Sequence, residues 1–302
     1  MKKYGVIDLG TNTFHLLIIE TDDTDAFREI YREQHFVKLA EDGIETIGAA
    51  PYARALKVMQ DFKEVLDEQQ VAGLCAFGTA ALRTASNGQT FIEEVKTLTG
   101  IGVELITGDR EAELIHKGVL QAVPFSSERW LIMDIGGGSV EFIIADKDKV
   151  YWAQSFPIGV AVLFKKFHHS NPISPAETEA TQRFLKEQLQ PLKVALAAHP
   201  AHTLVGASGT FDVIENILVK NKTQPHHSFL SSTAFPDFFA QMLHTTYRER
   251  LQMEGMPKIR ADMIVVALIL VDFVLQITDI HTIVISEFAM KEGMLYEMTH
   301  KQ

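Results

Sequence analysis

Apolar and polar positions along this chain alternate between two periods. Near the start, residues 4–9 and 14–20 are apolar runs on either side of Gly-Thr-Asn-Thr, which predicts a strand, a tight turn and a second strand. Over 52–68 the apolar positions are Ala55, Val58, Met59, Phe62, Val65 and Leu66, the spacing of an amphipathic helix. A strand over 71–77, a helix over 88–100 closed by Gly100, a strand over 103–107 and a helix over 109–123 with Asp109 as N-cap follow.

Residues 124–129 are polar and turn-like, and after them the opening pattern returns. Tyr-Gly-Val-Ile-Asp-Leu-Gly-Thr-Asn-Thr is matched by Trp-Leu-Ile-Met-Asp-Ile-Gly-Gly-Gly-Ser. Aligning Asp8 with Asp134 puts Gly10 on Gly136 and Thr13 on Ser139. This internal repeat predicts two similar domains, 1–123 and 124–302, facing each other across a cleft. The second half reads as a strand over 149–155, a helix over 159–167 and a long helix over 176–190. Then come a strand, a Gly/Ser turn and a helix over 202–218, an exposed loop over 220–228 and a largely helical stretch over 233–274. A strand over 281–286 and a last helix over 288–302, expected to pack back on the first domain, close the chain. Strands alternating with helices define an α/β class with mixed sheets flanked by helices.

Composition narrows the function. A chain of 302 residues, 46% hydrophobic and 22% charged, can bury two cores. Its net charge of −11 lacks the bulk basic footprint of a nucleic-acid binder but leaves room for a local anion pocket. With one cysteine, Cys75, no intramolecular disulfide can form, which suits a reducing cytosol; Cys75 itself reads as a small buried hydrophobe. Asp8 interrupts the N-terminal apolar run, a poor signal peptide. The longest apolar run, 263–271, is far shorter than the ~20 residues of a membrane span. A cytoplasmic protein with no membrane and no nucleic-acid partner is expected.

The two Gly-rich hairpins carry the candidate chemistry. A turn of this kind exposes backbone N–H groups that attract phosphate oxygens, and glycine allows close approach. Gly10, Thr11, Asn12 and Thr13 on one hairpin and Gly136, Gly137, Gly138 and Ser139 on the other are the candidate phosphate ligands. A bare carboxylate repels phosphate, so Asp8 and Asp134 are read as Mg²⁺ ligands. Glu141, two residues beyond Ser139 and so on the same strand face, joins them. One such hairpin alone would read as a plain turn; two matching copies, one opening each half, do not.

Paired hairpins of this kind resemble the phosphate motifs of the actin/Hsp70/sugar-kinase superfamily. Five further segments narrow the resemblance: 77–87, 106–115, 155–163, 206–214 and 260–270. In order and at sensible spacing, they resemble the exopolyphosphatase/guanosine pentaphosphate phosphatase family across nearly the whole chain. The resemblance implies two ribonuclease-H-like (actin-like ATPase) domains with the active cleft between them. It also implies hydrolysis of terminal phosphoanhydrides of polyphosphate or guanosine pentaphosphate, with a divalent metal. Glu111 then matches the family's catalytic Glu, usually the second acid of a Glu-Glu-Ala run; here the run is Arg110-Glu111-Ala112. Read from the helix alone, Glu111 would simply satisfy the helix dipole. Arg83 matches an arginine that points into the family's cleft, with Asn87 a weaker candidate nearby. Gly206, Ser208 and Gly209 match the nucleotide-side loop, which a plain strand-to-helix turn explains almost as well. His15 stands where many members carry Arg, and Lys291 replaces an Arg in the closing Ser…Arg-Glu-Gly run.

Longer members continue into a helical domain with a polyphosphate-binding canyon. A chain of net charge −11 without it is expected to act on short polyphosphate or a nucleotide. A homodimer is compatible with this reading. Two other classes from the same superfamily compete with it: an ATP-dependent small-molecule kinase, which would need an acceptor pocket, and a non-catalytic nucleotide-binding protein, which would change shape without turnover.

Overall fold

A computed structural model describes residues 2–21 and 27–300. Its chain forms two compact units. Unit 1 comprises Met1–Gly118, Gly136–Gly138 and Met290–Gln302; unit 2 comprises Val119–Ile135 and Ser139–Ala289.

In unit 1 the elements run β1 (Lys2–Leu9), β2 (Thr13–Thr21), β3 (Phe27–Phe36), α1 (Ala49–Gln69), β4 (Gly73–Gly78), α2 (Ala80–Thr84), α3 (Gly88–Thr99), β5 (Glu104–Leu105) and α4 (Gly108–Ala122). The sheet order is β3-β2-β1-β4-β5. Strands β1, β2 and β3 pair antiparallel, whereas β4 and β5 add in parallel. Apolar residues from β1, β2, α1 and α3, among them Ile7, Phe14, Phe62 and Phe91, make one buried core. α3 ends as its sequence predicts, at Gly100 with φ +74, a conformation that L side chains rarely adopt.

Unit 2 continues with β6 (Trp130–Ile135), β7 (Val140–Ala145), β8 (Val150–Phe156), α5 (Val160–Phe167), α6 (Pro175–Gln188), α7 (Gln190–Ala198), β9 (Thr203–Ala207) and α8 (Gly209–Leu218). It closes with β10 (His227–Ser231), α9 (Phe235–Leu243), α10 (Tyr247–Gln252), α11 (Ile264–Gln276) and β11 (Thr282–Ser286); α12 (Met290–Thr299) then belongs to unit 1. The sheet order is β10-β11-β9-β6-β7-β8. Here too a three-stranded antiparallel meander, β6-β7-β8, is followed by parallel strands β9 and β11. The repeat seen in the hairpins therefore extends to the order of five strands in each sheet. The apolar run over 263–271 becomes α11, buried nearly all round in the core of this unit. No helix among the described residues is long and apolar enough to cross a membrane.

Several local expectations change. Asp109 lies inside α4 rather than capping it; Thr107 takes the cap, its Oγ1 accepting from the Arg110 N–H at 3.2 Å. The helix expected over 176–190 breaks at Leu189, because Pro191 near the start of α7 cannot donate the N–H that continuation needs. The loop expected over 220–228 ends in β10: His227 and Ser228 are buried, and His227 Nδ1 donates to Ala122 O at 2.8 Å. Cys75 is half-buried rather than buried.

Candidate active site

In unit 1 the first hairpin closes tightly. Leu9 faces Phe14 as the last pair, and the Gly10 N–H donates to Thr13 O at 3.0 Å. The turn is braced by the segment after β3. Asn12 O accepts from the N–H groups of Val37 and Lys38 at 2.9 and 3.1 Å, and Thr11 O accepts from Leu39 at 2.7 Å. Thr11, Asn12 and Thr13 are all buried, and the Thr11 hydroxyl makes no hydrogen bond. Behind the turn, half-buried Asp8 lies directly across the ladder from His15.

The tip of the second hairpin, Gly136–Gly138, is part of this same unit. A Cβ on Gly137 would lie 2.8 Å from Asn12 Cγ and 2.9 Å from Thr11 Cβ. One on Gly138 would lie 2.7 Å from Thr11 Oγ1 and 2.8 Å from Ala80 Cβ. Protein packing therefore demands glycine at both positions, in addition to any ligand approach. This demand is tertiary and cannot be read from the hairpin's own sequence.

Arg83 and Glu111 meet in unit 1. Arg83 sits in the last turn of α2, and its Nη1 donates to Ile106 O at 2.6 Å, which fixes the guanidinium. The same nitrogen is 3.6 Å from Glu111 Oε2. Glu111 is buried in the first turn of α4, beside Arg83 and near the positive end of the helix dipole. Asn87 does something else. Its amide brackets Ile47, accepting from Ile47 N–H and donating to Ile47 O, each at 2.9 Å, so it serves as a backbone staple.

In unit 2, Asp134 on β6 pairs directly with Glu141 on β7, and Glu141 with Ser155 on β8. Directly opposed residues on antiparallel strands share a sheet face. Asp134 is 6% and Glu141 1% exposed, so two acids are buried side by side. The Ser155 hydroxyl donates to Glu141 Oε1 at 2.6 Å, a support that the sequence did not single out. Ser139 is buried at the head of β7. Among the described residues no group of three or more His, Cys, Asp or Glu could hold a metal by itself. Two hard carboxylates nevertheless fit Mg²⁺, which usually takes one or two of them plus water and phosphate oxygens.

The Gly206–Gly209 turn has its own packing logic. A Cβ on Gly206 would run into the Phe211 ring at 2.0 Å, and Ser208 adopts φ +70 to start α8. Arg260 lies over Gly209, whose Cβ would be 1.9 Å from its Nη2. Burial draws the Arg260 guanidinium pKa down, opposed by Asp212 and Asp262. Arg260 is the cation of this turn that sequence reasoning passed over, although it opens the quoted 260–270 segment.

Two mixed sheets of matching strand order, each opened by an Asp-Gly hairpin, define the actin-like ATPase fold class. The model of the Ppx/GppA phosphatase family matches residues 17–302, and the chain belongs to that family. It superposes on the crystal structure of an exopolyphosphatase from Cytophaga hutchinsonii with a TM-score of 0.94 and 40% identity, over 99% of this chain and 98% of that one. An Aquifex aeolicus Ppx/GppA enzyme shares the fold at a TM-score of 0.79 and 24% identity, over 97% of this chain and 98% of that one. Among curated relatives, a guanosine-5'-triphosphate,3'-diphosphate pyrophosphatase of Vibrio parahaemolyticus is 27% identical over 98% of this chain. The chain spans 59% of that relative's length.

Proposed function

We propose that this chain is a phosphoanhydride hydrolase that releases terminal orthophosphate from polyphosphate, guanosine pentaphosphate or both. The observation that carries this reading is Glu111, buried in the first turn of α4 with Arg83 at 3.6 Å. Phosphoryl transfer asks mainly for positioning, charge neutralisation and an oriented nucleophile. Glu111 accepts a proton from the attacking water as its oxygen bonds to the terminal phosphorus. The bridging P–O bond breaks with its electron pair going to the shortened chain, and the proton on Glu111 passes on to a phosphate oxygen. Arg83, 3.6 Å from Glu111, offers its remaining N–H groups to phosphate oxygens. Within unit 1, Thr11, Thr13 and the backbone N–H groups of both hairpin tips supply further donors; within unit 2, Ser139 is a donor and Gly206, Ser208 and Gly209 are the candidate nucleotide-side turn.

Within unit 2, the neighbouring carboxylates of Asp134 and Glu141 would hold Mg²⁺. When bound, that ion neutralises phosphate charge. The named relatives support the two substrate classes: one is an exopolyphosphatase, the other a guanosine pentaphosphate-type pyrophosphatase. A net charge of −11 favours short over long polyphosphate.

The test is orthophosphate release, with Mg²⁺ and with chelator, from short polyphosphate, long polyphosphate, guanosine pentaphosphate and ATP. Wild type is expected to turn over at least one of the first three, and Glu111→Gln to lose about 1,000-fold in kcat. Release unaffected by Glu111→Gln, or ATP consumption that depends on an added acceptor, would sink the reading.

A further inference from the structure

α12 and α4 meet along a short seam inside unit 1. Residues 110, 114, 117 and 118 of α4 lie on one face, at helical spacings of four, three and one. At the middle of the seam the two backbones nearly touch: a Cβ on Gly293 would lie 1.9 Å from Leu114 O and 3.1 Å from Gly118 N. One turn on, Glu297 takes both arms of the Arg110 guanidinium, with Nη1 at 2.9 Å, and also receives Lys117. Glu297 keeps 16% of its side-chain surface and Arg110 33%, so the tie is partly shielded from water. Against the upward push of burial, these cations hold the Glu297 carboxyl below its ordinary range, and the hydrogen-bonded Glu297 carboxylate in return raises the Arg110 guanidinium pKa. Arg110 also meets Glu113 at 2.9 Å.

Arg110 immediately precedes Glu111 in the first turn of α4, where backbone N–H groups lack intrahelical partners and the helix is least self-supporting. The opposite end of α12 is fastened separately, by buried Glu292 to Arg32 of β3 at 3.2 Å. The seam is thus pinned at two places, and only one of them adjoins the proposed catalytic carboxylate.

We propose that Glu297 is a positioning residue for Glu111, acting through the guanidinium of Arg110. The proposal rests on the catalytic reading of Glu111. It gives the arginine that departs from the Glu-Glu-Ala run a role: it takes its partner from the last helix of the chain and fixes the first turn of α4 from the face beside Glu111. A carboxylate that directs water loses rate when displaced by a fraction of an ångström, with little change in substrate affinity.

Steady-state phosphate release from short polyphosphate and from guanosine pentaphosphate tests this, with unfolding temperatures measured alongside. Arg110→Gln and Glu297→Gln are each expected to lower kcat about tenfold with KM held within about twofold, and the double variant to be no worse than either. Arg110→Lys is expected to recover part of the loss. Arg32→Gln, which loosens α12 at its other fastening, is expected to leave kcat unchanged. The proposal is overturned if both glutamine variants keep wild-type kcat while Glu111→Gln is inactive, if their effects add, or if Arg32→Gln slows turnover as much. A fully active Glu111→Gln, or a wild type that releases phosphate from none of short polyphosphate, long polyphosphate and guanosine pentaphosphate, removes the catalytic reading and this proposal together.

Discussion

The two hairpins share an Asp-x-Gly opening and an antiparallel ladder and differ at their tips. Thr11 and Asn12 of the first correspond to Gly137 and Gly138 of the second, and His15 corresponds to Glu141. The first tip is filled by its own buried side chains and braced by the Val37–Leu39 backbone. The second tip is bare, and its glycines leave the space that Thr11, Asn12 and Ala80 occupy. Deeper in the ladders the contrast is one of charge: Asp8 faces a histidine, whereas Asp134 faces a buried glutamate. Side-by-side carboxylates repel unless a proton or a cation is shared between them. The two copies thus keep the Asp-x-Gly turn and differ in side chains, hydroxyl and amide groups on the first and an acidic pair on the second.

The largest expected effect tests that difference. If the second hairpin is the metal side, Glu141→Gln should lower Mg²⁺-stimulated release about 100-fold and raise the Mg²⁺ concentration needed for half-maximal rate. His15→Gln, at the matching position, should change the rate by less than about tenfold and leave the Mg²⁺ requirement alone. A Mg²⁺ titration of both variants decides it. Equal losses and equal Mg²⁺ shifts would mean that the two copies share one role.

A smaller effect, on stability, tests the packing contrast. Gly138→Ala puts a methyl 2.7 Å from Thr11 Oγ1 and 2.8 Å from Ala80 Cβ. Overpacking of this kind typically costs about 1–3 kcal/mol. Denaturant unfolding should show the loss, and Thr11→Gly in the same chain should restore part of it, because the two side chains then exchange places across the contact. A Gly138→Ala variant as stable as wild type would return the triple glycine to a purely ligand-side explanation.

The contrast also marks what the sequence could reveal. Both hairpins, the α/β alternation, the core face of α1 and the Gly100 end of α3 were legible, because strand and helix periods and caps are local properties of the chain. Arg83 and Glu111 were legible only through family resemblance; their 3.6 Å approach is a product of the fold. β3 escaped because its paired charges, Arg28-Glu29 and Arg32-Glu33, break the two-residue alternation of a half-buried strand, as an edge strand with little buried surface allows. β10 escaped behind a polar run whose last two residues turn inward to pair with β11. The reasons for Gly137, Gly138, Gly206 and Gly209 lie in distant side chains, and so does the partner of Arg110. The break at Pro191 was legible in principle, since proline cannot continue a helix, and reading through it joined α6 to α7.

The smallest expected effect separates fold from ligand at a single atom. Thr11 Oγ1 is buried without a hydrogen bond, beside the position a Gly138 side chain would fill. An unsatisfied buried hydroxyl typically costs about 1–3 kcal/mol, so Thr11→Val, close in shape, should leave stability unchanged or raise it by about 1 kcal/mol. If that hydroxyl awaits a phosphate oxygen, the same variant should raise KM about tenfold while kcat stays within a few-fold. Thermal unfolding and steady-state kinetics on one preparation read both quantities. A more stable enzyme with a weaker substrate grip would show that the first hairpin keeps an internal defect for its ligand's sake. Unchanged KM would assign the donor role to the backbone N–H groups of the turn and leave Thr11 as the side chain that fills the space beside the second hairpin's glycines.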